Sequence, residues 1–256
     1  MLRRASLLAA LLLSTSIAEA GKRRDPNYVD QSEPTIKLNG ELVNVRWSDG
    51  DSFKIKSGKY KGKGTRLQGF NTLEAYGPVH RWGGWTWSEL YDLASRSSSL
   101  VEDETWNCTT DGKVDGYNRI LVSCPDAAKK LIREGHAFVL TVGDEADPAL
   151  LKVQAEAQKK KAGMWAKGVP PRIITSVHSI VEGEDKGYNR VVDTRTGKSE
   201  EMRHEEAYGT CQQVCVGEGD GRSCMVYVPF RQRYGPEQPP CLTEGGPRDP
   251  LEPQEE

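Results

Sequence analysis

The chain has 256 residues, of which 36% are hydrophobic and 28% are charged, and its formal net charge is −2. This composition is typical of one or two globular domains and excludes a fibrous protein or a chain that is disordered throughout. The near-neutral charge also argues against a strongly basic nucleic-acid binder.

The first twenty residues follow the pattern of a secretory signal. Arg3-Arg4 precedes the apolar run Leu7–Leu13, and the small-residue series Ala18-Glu19-Ala20 follows it. This order predicts a cleavable signal peptide over 1–20 and a secreted protein, either periplasmic or extracellular. The apolar run is too short to cross a bilayer, and no other stretch is long enough, so we expect no membrane span.

A polar lead-in at 21–35 comes before the first β pattern. Strands are predicted at about 36–47, 52–56 and 64–70, because apolar and polar residues alternate there. Asp49-Gly50 is typical of a tight turn, which places Asp51 at the mouth of a β-hairpin.

Three helical patterns alternate with further strand patterns in the next hundred residues. The predicted elements are a helix at 85–99, a hairpin at 105–110 and 118–123, a helix at 127–134 with Asp126 as its N-cap, a strand at 137–142, and a helix from an Asp147 cap to Ala162.

Pro170-Pro171 marks a predicted boundary between 36–168 and a β-rich C-terminal module at 169–235. The module's predicted strands are Ile173–Val181, Tyr188–Asp193 and Met225–Phe230. The first part carries 20 basic and 17 acidic residues, whereas 169–256 carries 10 basic and 16 acidic ones. Proline and glutamate dominate 236–256, which predicts a disordered tail.

All six cysteines follow the predicted signal, and an even number in an oxidising compartment favours disulfides. They are Cys108, Cys124, Cys211, Cys215, Cys224 and Cys241. The first two flank a predicted hairpin and can face each other across it, and the other four are expected to staple the C-terminal module, with their connectivity left open. A zinc site is the alternative, but the spacing lacks paired C-x-x-C knuckles.

Three motifs, in this order and spacing, resemble the staphylococcal nuclease (thermonuclease) family. They are Asp49-Gly50-Asp51-Ser52, the run from Arg66 through Gly69-Phe70-Asn71-Thr72 to Glu74, and Asp115-Gly116-Tyr117-Asn118-Arg119. The resemblance covers about 36–167. It implies an α+β fold, a five-stranded oligonucleotide-binding (OB-fold) barrel with about three helices, to which the cysteine-stapled β-rich module is added.

The same residues carry the chemistry of phosphodiester hydrolysis. Asp51, Asn71 and the Thr72 carbonyl offer an oxygen-only ligand set that suits Ca²⁺, with Mn²⁺ as the alternative. Arg66 and Arg119 present planar donor forks that match phosphate oxygens. By resemblance, Glu74 is the general base that activates water, and Tyr117 contacts a substrate phosphate.

The chain departs from the family pattern at three places. Asn71 stands where the family usually has an aspartate, so one formal negative charge beside the metal is missing and metal affinity should fall. Leu73 replaces a proline, so the loop that presents Glu74 is less rigid. Two tyrosines that the family places before its last helix are Phe138 and Leu140 here, which weakens base stacking.

We therefore expect a secreted, monomeric, metal-dependent endonuclease that cleaves DNA and RNA with little sequence preference. One alternative is a nuclease-like barrel that is catalytically weakened and binds nucleic acid or protein. Another alternative is that the main function lies in the C-terminal module, which docks to an envelope partner, and that the nuclease is secondary.

Overall fold

The computed structural model of the protein describes residues 29–183, 187–233 and 238–242. The predicted signal peptide at 1–20 and most of the predicted lead-in and tail lie outside these ranges. Within them the fold is α+β, as predicted. None of the helices among the described residues is both long enough and apolar enough to cross a membrane.

The N-terminal part contains nine short strands and four helices among the described residues. The strands are β1 (Thr35–Leu38), β2 (Glu41–Trp47), β3 (Phe53–Ile55), β4 (Thr65–Leu67), β5 (Phe70–Thr72), β6 (His80–Trp82), β7 (Trp106–Cys108), β8 (Ile120–Val122) and β9 (Ala137–Val139). The helices are α1 (Trp87–Ser95), α2 (Ser99–Glu102), α3 (Pro125–Arg133) and α4 (Pro148–Lys159).

These strands surround one hydrophobic core. A four-stranded sheet in the order β3-β2-β1-β7 is joined by the parallel pair β4–β8 and the antiparallel pair β5–β9. Residues from all of these strands, together with α3 and α4, share one buried cluster. The predicted strand 36–47 is broken because Asn39 and Gly40 both have positive φ, which turns β1 back onto β2 as a hairpin.

The helix ends test the predicted caps. Asp147 is the N-cap of α4, as predicted, and its carboxylate accepts a hydrogen bond from the Ala149 N–H at 2.8 Å. The prediction for Asp126 was wrong, because α3 already begins at Pro125 and Cys124 is its N-cap. Helix α4 also ends before Ala162, since Lys161 adopts a left-handed φ of 54°.

All six cysteines form disulfides, which confirms that prediction and excludes the zinc alternative for them. The pairs are Cys108–Cys124, Cys211–Cys241 and Cys215–Cys224. The first pair closes the hairpin beside a single bridge between Thr109 and Ser123, and the other two lie in the C-terminal module.

The C-terminal part adds β10 (Arg172–His178), β11 (Tyr188–Asp193), β12 (Ser199–Arg203), β13 (Gln213–Val216), β14 (Ser223–Val226) and the short helix α5 (Phe230–Arg233). Strands β12 and β13 were not predicted. Strands β10, β11 and β12 form one antiparallel sheet, whereas β13 and β14 form a sheet with β6 from the N-terminal part. The division at 168/169 stays a prediction, and this second sheet crosses it.

The buried His80 lies in the strand that joins the two parts. It is 1% exposed and pairs with Met225 of β14. Burial lowers the pKa of His80 from 6.5 to about 3, and the nearby backbone of Ile174 offsets only part of this effect. The folded protein therefore keeps this imidazole neutral.

We predict that His80 makes the fold acid-sensitive. Above pH 6.5 the imidazole is neutral in both the folded and the unfolded protein. As the pH falls from 6.5 toward 3, His80 becomes protonated in the unfolded chain but stays neutral in the folded protein. Folding stability should then fall by about 1.4 kcal/mol per pH unit from this group. The measurement is the free energy of unfolding in urea at pH 7.5 and pH 5, for the wild type and for His80→Phe.

Between these two pH values, the free energy of unfolding of His80→Phe should fall by about 2 kcal/mol less than that of the wild type. Because other groups titrate in both proteins, only the difference between the two losses reports on His80. Equal losses would contradict the prediction.

Candidate active site

The predicted site residues lie on three neighbouring segments of the barrel. Asp51 follows the turn between β2 and β3, Arg66 lies on β4, and Asn71 and Thr72 end β5. The Leu67 N–H donates to the Asp51 carbonyl at 2.8 Å, which ties β4 to the turn. The structure therefore brings together residues that the sequence separates.

Gly50 allows this close packing. A Cβ added at Gly50 would lie 2.6 Å from the Thr72 Cγ2 atom, closer than side chains approach one another. Only glycine therefore lets the turn that carries Asp51 rest directly on the end of β5.

Asp51 is the centre of the hydrogen-bond network. Its side chain is 3% exposed, and its two carboxylate oxygens accept three hydrogen bonds. The donors are Arg66 Nη1 at 2.5 Å, the Thr72 N–H at 2.8 Å and the Thr72 hydroxyl at 3.1 Å. These donors compensate the cost of burying the charge and fix the direction of the carboxylate.

Asn71 makes two contacts that an aspartate could not both make. Its side-chain carbonyl accepts a hydrogen bond from Arg66 Nη2. Its amide nitrogen donates to the Thr72 carbonyl oxygen at 2.5 Å. An ionised aspartate has no proton to donate, so the second bond depends on the amide.

Glu74 lies in the loop after β5 and is only partly accessible to solvent. Burial and the nearby charge of Asp51 raise the pKa of Glu74 to about 7, although the positive charges of Arg66, Arg233 and Arg119 oppose this rise. The Glu74 carboxyl thus belongs to the same electrostatic cluster as Asp51.

Asp49 is a site residue that the sequence reasoning treated only as part of a turn. Its carboxylate accepts hydrogen bonds from the Asp51 N–H at 3.2 Å and the Ser52 hydroxyl at 2.6 Å. Burial and the charge of Asp51 raise the pKa of Asp49 to about 8, and the Glu74 charge adds to this effect. The Asp-x-Asp spacing on a two-residue turn was the available signal, since such a turn holds both carboxylates close together.

The acidic cluster acts in turn on Arg66. Burial lowers the pKa of Arg66, but the charges of Asp51, Glu74 and Asp49 outweigh that effect, so the pKa is raised overall. Arg66 therefore stays positively charged between the carboxylates.

Arg119 and Tyr117 reach the site from the hairpin that precedes β8. Strand β8 pairs in parallel with β4 in the register Thr65 to Ile120, which places Arg119 beside the start of β4. Asp115 holds the Arg119 guanidinium through Nε at 2.8 Å and Nη2 at 2.7 Å. The Tyr117 ring is 70% exposed, and the Arg119 guanidinium lies 5.5 Å from its centroid.

Phe138 and Leu140 lie in the hydrophobic core beside the site. Phe138 is fully buried and Leu140 is 9% exposed, and both belong to one apolar cluster. Neither can stack on a base, so the departure noted at these two positions removes a surface for base contact.

The predicted metal ligands fit a hard cation in chemical kind. Asp51, Asn71 and the Thr72 carbonyl provide oxygens within one small hydrogen-bonded cluster, as Ca²⁺ prefers. Among the described residues, no group of three or more His, Cys, Asp or Glu side chains is arranged to hold a metal. A cation bound here would therefore depend on the amide and the backbone carbonyl, and it would share Asp51 with Arg66.

Comparison with known proteins agrees with this geometry. Residues 65–167 match the sequence profile of the family described as staphylococcal nuclease homologue. A search of curated proteins found no match. The matched segment contains Arg66, Asn71, Thr72, Glu74, Tyr117 and Arg119, whereas Asp51 precedes it, between β2 and β3. The matched segment, the OB-fold barrel and the prediction made from the three motifs agree, and the chain therefore carries a domain of the staphylococcal nuclease family over residues 65–167.

Proposed function

We propose that the protein is a metal-dependent endonuclease that hydrolyses phosphodiester bonds of DNA and RNA with low sequence specificity. One observation carries the proposal: the buried Asp51–Arg66 pair lies in the same electrostatic cluster as Glu74 and Arg119. A carboxyl group to take a proton and two guanidinium groups to bind phosphate are the groups that this hydrolysis requires.

Arg66 and Arg119 bind the scissile phosphate. Both guanidinium groups are held by an aspartate, Arg66 by Asp51 and Arg119 by Asp115, so their planes are oriented before substrate arrives. Their donors stabilise the negative charge that grows on the phosphate oxygens as the water attacks. Lysine could supply the charge but not the paired donors.

Glu74 removes the proton from the attacking water. A base is most effective when its pKa lies near the working pH, and the pKa of Glu74 is about 7. The water oxygen bonds to phosphorus while the bond to the 5′ oxygen breaks, and the released 5′ oxygen takes up a proton from solvent water, which leaves a 3′-phosphate and a 5′-hydroxyl end. This direction of cleavage is the one that the family resemblance implies.

Asp51, Asn71 and the Thr72 carbonyl would hold the metal, which we propose to be Ca²⁺, with Mn²⁺ as the alternative. When bound, the cation supplies positive charge to the phosphate and orients the water. Asn71 gives this ligand set one negative charge fewer than two carboxylates would, so the affinity should be modest.

Low specificity follows from what contacts the strand. Arg66, Arg119 and Tyr117 contact phosphate, which is common to all nucleotides. The three disulfides are compatible with an oxidising compartment, and we propose that the protein is secreted and acts as a monomer.

Asn71 favours the alternative that the barrel binds nucleic acid or protein without cleaving it. Its amide nitrogen covers the Thr72 carbonyl at 2.5 Å, and it contributes no charge to hold a cation. The two functions differ in whether the wild-type protein cleaves DNA at all.

We predict that Glu74→Gln and Arg66→Lys each lower the cleavage rate about 10²- to 10³-fold, because the first removes the base and the second removes the paired donors that stabilise the transition state. The assay incubates the mature chain with plasmid and single-stranded DNA in millimolar Ca²⁺, and a chelator should abolish cleavage. Glu156→Gln on α4 and Arg46→Lys on β2 are the controls, since both residues are exposed and lie on other elements. Intact DNA with Ca²⁺, Mn²⁺ and Mg²⁺ would overturn the enzyme proposal.

We predict that Asn71→Asp raises the affinity for Ca²⁺ on the order of tenfold, because it adds a charged oxygen ligand beside Asp51. Isothermal titration calorimetry measures this affinity without any cleavage. Asn189→Asp is a matched control, since this buried asparagine lies on β11 of the other sheet. Unchanged affinity would show that Asn71 is not a ligand, and activity that appears only in the variant would favour the binding-module alternative.

A further inference from the structure

The C-terminal part is attached directly to the loop that presents Glu74. Strand β14 pairs with β6 in the register Met225 to His80, and β6 follows that loop. The Val226 N–H also donates to the Val79 carbonyl at 3.1 Å, just before β6 begins. This pairing brings the residues after β14 to the rim of the candidate active site.

Arg233, at the end of α5, lies on this loop. A Cβ added at Gly77 would be 3.2 to 3.3 Å from the Cβ, Cγ and Cδ atoms of Arg233, so the stem of the arginine covers Gly77. The Arg233 Nε donates to the Val228 carbonyl at 2.8 Å, which fixes the direction of the side chain. Its charge also helps to lower the pKa of Glu74, which places the guanidinium within electrostatic reach of that carboxyl.

Arg233 differs from Arg66 and Arg119 in that its guanidinium is available to bind a ligand. Arg66 and Arg119 each pair with an aspartate, whereas no described carboxylate forms a salt bridge with Arg233. An arginine that forms no salt bridge with a described carboxylate is suited to bind an anion.

We propose that the C-terminal part forms the second wall of the substrate cleft, where Arg233 binds a phosphate of the strand that Arg66 and Arg119 hold from the barrel side. The inference rests on the proposed function, because it requires that a nucleic-acid strand occupies this site. The wall lies outside the segment that matches the nuclease family.

The test measures the binding of a fluorescein-labelled single-stranded DNA octamer by anisotropy, in chelator so that no cleavage occurs, at several salt concentrations. Arg233→Gln should weaken binding about fivefold and lower the slope of log K against log salt by about 0.7, the value for one phosphate contact on a single strand.

The matched control is Arg231→Gln on the same helix, where the arginine is exposed, and it should change affinity less than twofold. Thermal unfolding of each variant checks the fold, and Arg233→Lys, which keeps the charge, should retain the salt slope while it weakens binding. A purely structural role for Arg233 would leave the salt slope unchanged in Arg233→Gln.

Cleavage assays with Ca²⁺ separate this inference from the proposed function. If the wild type cleaves DNA and Arg233→Gln leaves octamer binding and KM unchanged, the second wall is overturned and the proposed nuclease function is retained. A wild-type protein that binds the octamer through Arg233 but cleaves nothing would retain the wall and overturn the nuclease. A wild-type protein that binds no strand would overturn both.

Discussion

The ion pair between Arg66 and the buried Asp51 is the interaction on which the rest of the site depends. A buried carboxylate is tolerated only when it is paired and hydrogen-bonded, and Arg66 supplies both the charge and a 2.5 Å contact. The same guanidinium reaches Asn71, so one side chain joins β4 to the turn before β3 and to the end of β5. Folding of the barrel and assembly of this side-chain network are therefore one event.

The candidate site contains more carboxyl groups than the single positive charge of Arg66 can neutralise. The pKa values of Asp49 and Glu74 are both raised, to about 8 and about 7, because each carboxyl is buried near Asp51. Adding positive charge, from a cation or from the arginines around the site, relieves this repulsion. Compared with an aspartate at this position, Asn71 removes one negative charge and donates a hydrogen bond to the Thr72 carbonyl. The attraction of the site for a cation is therefore weaker.

The second part of the chain is joined to the first by shared structure as well as by the linker. Strand β6 lies in a sheet with β13 and β14, and Gln154 of α4 bonds both the Val139 N–H and the Thr194 carbonyl. The disulfides Cys211–Cys241 and Cys215–Cys224 hold the segment that follows β12. Because the disulfides and the pairing of β14 with β6 hold this segment, it can keep Arg233 at a constant position relative to the loop that carries Glu74.

The amino-acid sequence alone determined the α+β class, the nuclease-like segment, the disulfide state of the cysteines and most residues of the candidate site, because turn chemistry and motif spacing are local properties of the chain. The local pattern also identified the cap of α4, but it misplaced the cap of α3 and missed β6, β12 and β13, which are only three to five residues long. Only the tertiary structure decided that Asp49 joins the acidic cluster, that Asn71 bonds the Thr72 carbonyl, and that Arg233 packs on Gly77 in the loop after Glu74. Arg233 and Gly77 lie far apart in the chain, and the pKa of Asp49 and the hydrogen bonds of Asn71 are set by what packs around them in three dimensions.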